Sequence, residues 1–155
     1  MNNINFINNK SKYFGGAIYS KYKYLYTLNI NNTKFIKNYA GVAGGALFSP
    51  NLPQYNLFNY KNCEFVSNTA ESHGNDFATN PYIIKLLNED KYNDVILKTG
   101  SYLPIIFSIY DSFENLIQDQ YKYYSDISVK VAVENKNNQN TVSILNGNIG
   151  SFING

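Results

Sequence analysis

The sequence predicts an all-β chain. A stub of parallel β-solenoid spans residues 1–80, and an immunoglobulin-like β-sandwich module over 94–155 follows a linker over 81–93. Three observations carry this reading. A motif of fixed internal spacing recurs three times in the first half. The segments between its landmarks alternate apolar and polar residues with period two. The second half loses the repeat but keeps short alternating runs separated by polar turns.

The repeat is Phe6-Ile7-Asn8-Asn9 followed by Gly15-Gly16-Ala17-Ile18, then Phe35-Ile36-Lys37-Asn38 followed by Gly44-Gly45-Ala46-Leu47, then Phe65-Val66-Ser67-Asn68 followed by Gly74-Asn75-Asp76-Phe77. The Phe-to-Phe steps are 29 and 30 residues. An Asn-rich chain yields stray Phe-x-x-Asn by chance, but not three with Gly at one offset. A fixed period in this range marks a stacked architecture, in which each unit buries its apolar face only against its neighbours. Thr27-Leu28-Asn29-Ile30 and Phe58-Asn59-Tyr60 have strand periodicity, as does Tyr22, Tyr24, Tyr26. Overlaying the copies gives columns Ile4, Thr33, Cys63 and Phe6, Phe35, Phe65. In parallel strands such like side chains stack, with rungs about 4.8 Å apart.

Two further columns have specific chemical reasons. Asn carries a donor and an acceptor, so Asn9, Asn38 and Asn68 can bond copy to copy as an amide ladder. Gly15, Gly44 and Gly74 suit a corner that needs positive φ or close backbone approach. These six, with Phe6, Phe35 and Phe65, are the nine structural positions on which the expected fold rests. Cys63, in the inward column, is expected to be a buried small hydrophobe.

The paired Phe-x-x-Asn and Gly-Gly-Ala-Ile/Leu motifs resemble the repeats of the polymorphic outer-membrane proteins of obligate intracellular bacteria. They also resemble repeats in large membrane proteins of ciliated protozoa, whose Asn, Tyr, Lys, Ile and Phe bias is similar. The resemblance covers residues 1 to about 80 and is degraded in the third copy, where Asn75-Asp76 replaces Gly-Ala. Gly74-Asn75-Asp76-Phe77-Ala78 resembles the copy that closes a repeat block in the protozoan proteins. The resemblance implies a right-handed parallel β-helix on a cell surface and no catalytic residues. A weaker resemblance, to Ig-like modules of bacterial surface adhesins, rests on Gly100-Ser101-x-Leu103-Pro104-x-x-Phe107-x-Ile109-x-Asp111-x-Phe113-x-Asn115.

Charged residues are 15% of the chain, well below the usual quarter, while Tyr numbers 15 and Phe 10. A polar surface of Asn, Ser, Thr and Tyr suits a solenoid and an extracellular protein. The net charge of +2 gives no electrostatic basis for binding nucleic acid. One cysteine excludes a disulfide framework and a Cys-based metal site within the chain. No apolar run reaches the ~18 residues of a membrane span, and the first residues lack a signal peptide. The first copy starts almost at once and the last residues still have strand character. Both ends therefore predict a piece of a longer chain, with any signal and anchor outside it.

After the third copy, Thr79-Asn80-Pro81 breaks the pattern, Ile83 to Leu87 is expected to be an exit strand, and Asn88 to Lys91 is polar linker. Ile105, Phe107 and Ile109 alternate up to a turn at Asp111–Asn115. Ile127, Val129, Val131 and Val133 form a second run, with Thr141 to Leu145 expected to pair back on it. Turns at this spacing predict the sandwich, which falls short of its last strands.

Chemistry-bearing groups are sparse. His73 is a lone histidine at a corner, with neither a second His nor a Cys for a metal site. A triad would require Ser72 and Asp76 around it, which only sequence proximity nominates. Glycoside hydrolysis needs two carboxylates about 5–10 Å apart. Glu71 with Asp76 is the sole pair, and Glu64 aligns with Lys34, so no acidic column forms. The Gly-Gly pairs lead into strands and lack the helix N-terminus of a phosphate site. Of two glycosylation sequons, Asn31 at a corner is the better acceptor, because Asn9 lies in the ladder.

The expected function is therefore a non-enzymatic fragment of a large cell-surface or membrane-anchored repeat protein, with display, spacing and adhesion as its work. No catalytic, cofactor or metal site is expected. Its expected partners are the remainder of a longer chain and a glycan or cell-surface protein, at the outer face of the membrane or secreted. The alternative is part of a polysaccharide lyase or hydrolase whose active coils lie elsewhere.

Overall fold

A computed structural model describes residues 1–21, 29–50, 59–87, 89–92, 95–124, 126–132 and 146–152. These residues hold strands, turns and irregular connections, with no α-helix among them. Copy one supplies β1 (Asn5–Ile7), β2 (Lys10–Ser11) and β3 (Ile18–Tyr19). Copy two supplies β4 (Asn29–Asn31), β5 (Lys34–Ile36), β6 (Tyr39–Ala40) and β7 (Leu47–Phe48), and copy three β8 (Asn59–Lys61), β9 (Glu64–Val66), β10 (Thr69–Ala70) and β11 (Phe77–Ala78). β12 (Pro81–Leu86), a 3-10 turn (Glu89–Tyr92), β13 (Phe107–Asp111), β14 (Ser128–Lys130) and β15 (Ile149–Ser151) follow.

Every strand of the first half pairs in parallel with its counterpart one copy away. The sheets run β1-β5-β9, β2-β6-β10, β3-β7-β11 and β4-β8. The register is the one the repeat spacing predicts, with Phe6 opposite Phe35 and Phe35 opposite Phe65. Strands are short because non-glycine residues in the left-handed region punctuate them twice per copy, in addition to the corner glycines. Asn3, Asn32 and Asn62 hold φ of 57°, 48° and 51°, and Asn8, Lys37 and Ser67 hold 57°, 53° and 53°. Asn tolerates this conformation better than other non-glycine residues, which explains the Asn interruptions between alternating runs.

The core lies between the strands of copy two. Ile30, Phe35, Ala46 and Leu47 form its centre, with Phe6, Ala17, Ile18, Phe65 and Phe77 packed against it from the outer copies. The Phe column stacks nearly face to face, with centroids 5.0 and 4.8 Å apart and planes 10° and 1° from parallel. Phe35 is fully buried, whereas Phe65 is half-buried. Cys63 corrects its expectation in the same way. It is half-buried rather than buried, because copy three is the outer member of the stack, and its thiol faces the Ile30 and Lys61 carbonyls. Its counterpart Thr33 in the middle copy is fully buried.

Beyond copy three the pairing turns antiparallel. β12 pairs with β13, placing Ile84 opposite Ile109 and Leu86 opposite Phe107. The exit strand expected at Ile83 is thus the centre of β12, inside the segment read as a linker. β14 pairs with β15, with Val129 opposite Gly150. The tyrosine run at 22–28, the proline loop at 51–57, Val133 and the polar turn and hairpin arm expected over 135–145 fall outside the described residues.

Candidate functional site: the ladder, its end and the buried histidine

Parallel pairing brings the three ladder asparagines onto one line. The Asn9 backbone N–H and side-chain Nδ2 both donate to Asn38 Oδ1, at 3.0 and 2.9 Å. The Asn38 N–H and Nδ2 repeat this toward Asn68 Oδ1, again at 3.0 and 2.9 Å. Each amide also reaches back one copy, Asn38 Nδ2 to the Phe6 carbonyl at 3.0 Å and Asn68 Nδ2 to that of Phe35 at 2.9 Å. Asn38 and Asn68 are buried, so these bonds satisfy groups that water cannot reach. Asn9, in the outer copy, is exposed.

The glycine corners meet two different demands. Gly15, Gly44 and Gly74 hold φ of 64°, 71° and 66°. The following residues answer to close approach. A Cβ on Gly16 would lie 2.0 Å from the Gly45 carbonyl oxygen, and one on Gly45 would lie 2.2 Å from that of Asn75.

Copy three departs from Gly-Ala at Asn75-Asp76, and both departures make hydrogen bonds. Asp76 Oδ1 accepts from Asn68 Nδ2 at 2.9 Å, where the earlier copies have the next Asn. Asn75 Oδ1 accepts from the Ala70 N–H at 3.0 Å. The chain after β13 adds two more contacts. Asp111 Oδ2 accepts from the Thr79 N–H at 3.1 Å, and Asn115 Nδ2 donates to the Phe77 carbonyl at 3.0 Å. Asp111 also sets its own turn, accepting from the Phe113 and Asn115 N–H groups at 2.9 Å each. The sequence places a turn here, but nothing in it signals that Asp111 and Asn115 reach back to copy three.

His73 is buried beneath this following segment. Its Nε2 lies 3.0 Å from the Thr79 carbonyl and its Nδ1 3.0 Å from Ser72 Oγ. A carbonyl only accepts, so Nε2 carries the proton and Nδ1 accepts from the Ser72 hydroxyl. Burial holds the imidazole below its usual pKa. A Ser-His pair works as a nucleophile when a carboxylate orients the far nitrogen and substrate can enter. Here a backbone carbonyl takes the far nitrogen, and Ser72 and His73 are both buried.

The carboxylates considered for hydrolysis are engaged separately. Asp76 faces Asn68, while Glu71 Oε1 accepts from the Tyr39 hydroxyl at 3.0 Å, a bond that raises the phenol above its usual range. Glu64 pairs with its column neighbour Lys34 at 2.8 Å on an exposed face. Asn31 is half-buried and its Nδ2 donates to Asn2 Oδ1 at 3.1 Å. Among the described residues no cluster of His, Cys, Asp or Glu is placed to hold a metal ion, and no helix is long and apolar enough to cross a membrane.

Against known proteins, residues 3–21 match the Chlamydia polymorphic membrane protein repeat. That stretch is copy one, from Asn3 through Phe6, Asn9 and the Gly15-Gly16-Ala17-Ile18 corner. The chain thus carries a repeat of a kind found in membrane proteins. No curated protein and no solved structure matches it.

Proposed function

We propose that this chain is a non-enzymatic module of a large cell-surface or membrane-anchored protein, in which a stub of right-handed parallel β-helix over 1–80 leads through 81–93 into an Ig-like β-module over 94–155. Its work is display and spacing, with adhesion to a glycan or surface protein along the face of the stack. One observation supports this reading above the others. The repeat residues that define the sequence spend their hydrogen-bonding capacity on one another, copy to copy, rather than converging on a cleft. The match of copy one to a membrane-protein repeat points the same way. The likeness to protozoan membrane proteins, the absence of catalytic, cofactor and metal residues and the use of Asn31 as a glycan acceptor belong to this proposal.

The test is topological and enzymatic together. An antibody raised against the 155-residue chain should label intact source cells, and external protease should remove the signal. Labelling only after permeabilisation would contradict the proposal. So would turnover of a polysaccharide panel that Asp76→Asn abolishes, an outcome that would instead favour a lyase or hydrolase.

A further inference from the structure

In a parallel stack each strand must hand its outward backbone groups to the next copy, and the last copy must find a substitute. Alternate residues of a strand point opposite ways. The Tyr39 and Gly41 N–H groups point back to copy one, at Asn9 and Ser11. Those of Thr69 and Glu71 point back to copy two, at Asn38 and Ala40. Ala70 therefore points forward, where Asn75 Oδ1 meets it. In the third sheet Ser20 donates to Phe48 and Ser49 to Ala78, so the equivalent Thr79 N–H points at a fourth copy. Asp111 Oδ2 stands in for that copy's carbonyl. Asp76 stands in for its ladder asparagine, and Asn115 for the N–H that would reach the Phe77 carbonyl. Phe113 adds an apolar plug, 6.3 Å from Phe77 and packed against the core.

Sterics agree with the hydrogen bonds. Gly16 and Gly45 must lack a Cβ because the next copy's corner carbonyl would lie 2.0 and 2.2 Å from it. Asn75 has a Cβ at that place. A fourth copy stacked at the same spacing would collide with it.

We propose that Asn75, Asp76, Asp111 and Asn115 act together as a terminator that closes the stack after copy three, so that a further coil can join only at the copy-one face. The occupant that face fits is a coil of the same kind. Its ladder Asn donates to Asn9 Oδ1, and its corner carries Gly-Gly, since a Cβ there would strike Gly16. Copy three of a second molecule is refused, because it presents Asn75 and Asp76. Strands β1, β2 and β3 are the edge strands at this face. Exposed Ile7 and Tyr19 stand on two of them. The inference rests on the stacked-coil reading proposed above.

The test uses the full chain with one coil added at either end of the stack. The first variant carries a second copy of residues 30–59 ahead of Met1. The other carries a second copy of residues 50–79 directly after Thr79, which leaves the contacts to Asp111 and Asn115 available to the new last coil. The first should raise Tm by roughly 5 °C, and the second should lower it by a similar amount. Asn75→Gly with Asp76→Ala in the now internal coil should bring the second variant back to or above the parent. A second variant as stable as the first, without those substitutions, overturns the terminator. A first variant less stable than the parent removes the copy-one face and, with it, the stacked-coil reading. Neither outcome depends on where in the cell the protein resides, so cell-surface labelling remains a separate test of display.

Discussion

At the scale of single residues, a buried group that loses its partner gains no water in exchange. Asn38 is fully buried and bonded on both sides of the ladder, so Asn38→Ala takes a donor from buried Asn68 Oδ1 and the partner from the part-buried Phe6 carbonyl. Unpaired buried groups cost about 1–3 kcal/mol, against under roughly 0.5 kcal/mol for the exposed Asn5→Ala. Denaturant melts should separate the two variants, and equal, small effects would remove the ladder argument. His73 gives a pH prediction. Its folded pKa lies below 6.5, so the unfolded chain binds the proton more readily. Stability from this site is present above the unfolded value and declines as pH falls from about 6.5 toward the lowered folded pKa. Melts between pH 7.5 and 5 should show that decline, and His73→Gln should flatten it. A parent more stable at pH 5 than at pH 7 would contradict the assignment of a buried neutral imidazole. Lys37 holds φ of 53°, a strained choice for a long side chain. Lys37→Asn should stabilise by about 1 kcal/mol, read as a higher denaturant midpoint.

At the scale of elements, the link between β13 and copy three rests on Asp111 and Asn115. Asp111→Ala should loosen residues 105–124 from the stack before the stack itself melts. Hydrogen exchange should then show faster exchange at Thr79, Phe113 and Asn115 while Phe35 stays protected. Uniform exchange across both regions would mean that the two unfold as one. The parallel pairing of copies one to three was legible from sequence because each copy repeats both its landmarks and their spacing. One periodic signal therefore specified strand, register and corner together. The contacts of the following segment were not legible, since Asp111 and Asn115 act across more than thirty residues and have no repeat to betray them. Asn75 and Asp76 occupied a middle ground. The sequence marked them as departures from the pattern, but only the hydrogen bonds to Ala70 and Asn68 explain why those two residue types stand there. The burial of His73 was equally hidden, because a corner position is exposed unless a later segment covers it.

At the scale of the whole molecule, the proposed module is a small stack with most of its burial in the middle copy. Phe35, Leu47 and Ile30 are fully buried, whereas Phe6 and Phe65 are half-covered. A core of that size barely offsets chain entropy, and β1, β2 and β3 leave an open strand edge at copy one. The isolated chain is therefore expected to be marginally stable or to self-associate, as sedimentation and calorimetry would show; a monodisperse, cooperatively melting monomer would contradict that. The in-register stacking beneath all of this can be tested directly. Ile7, Ile36 and Val66 form one outward column, with Ile7 and Val66 two rungs apart and exposed. Nitroxide labels at positions 7 and 66, with Cys63→Thr to remove the native thiol, should lie about 10 Å apart. Continuous-wave EPR of frozen samples should then show strong dipolar broadening that the single-labelled chains lack. Spectra of the double-labelled chain identical to the sum of the single-labelled ones would place the two labels far apart and contradict the stack.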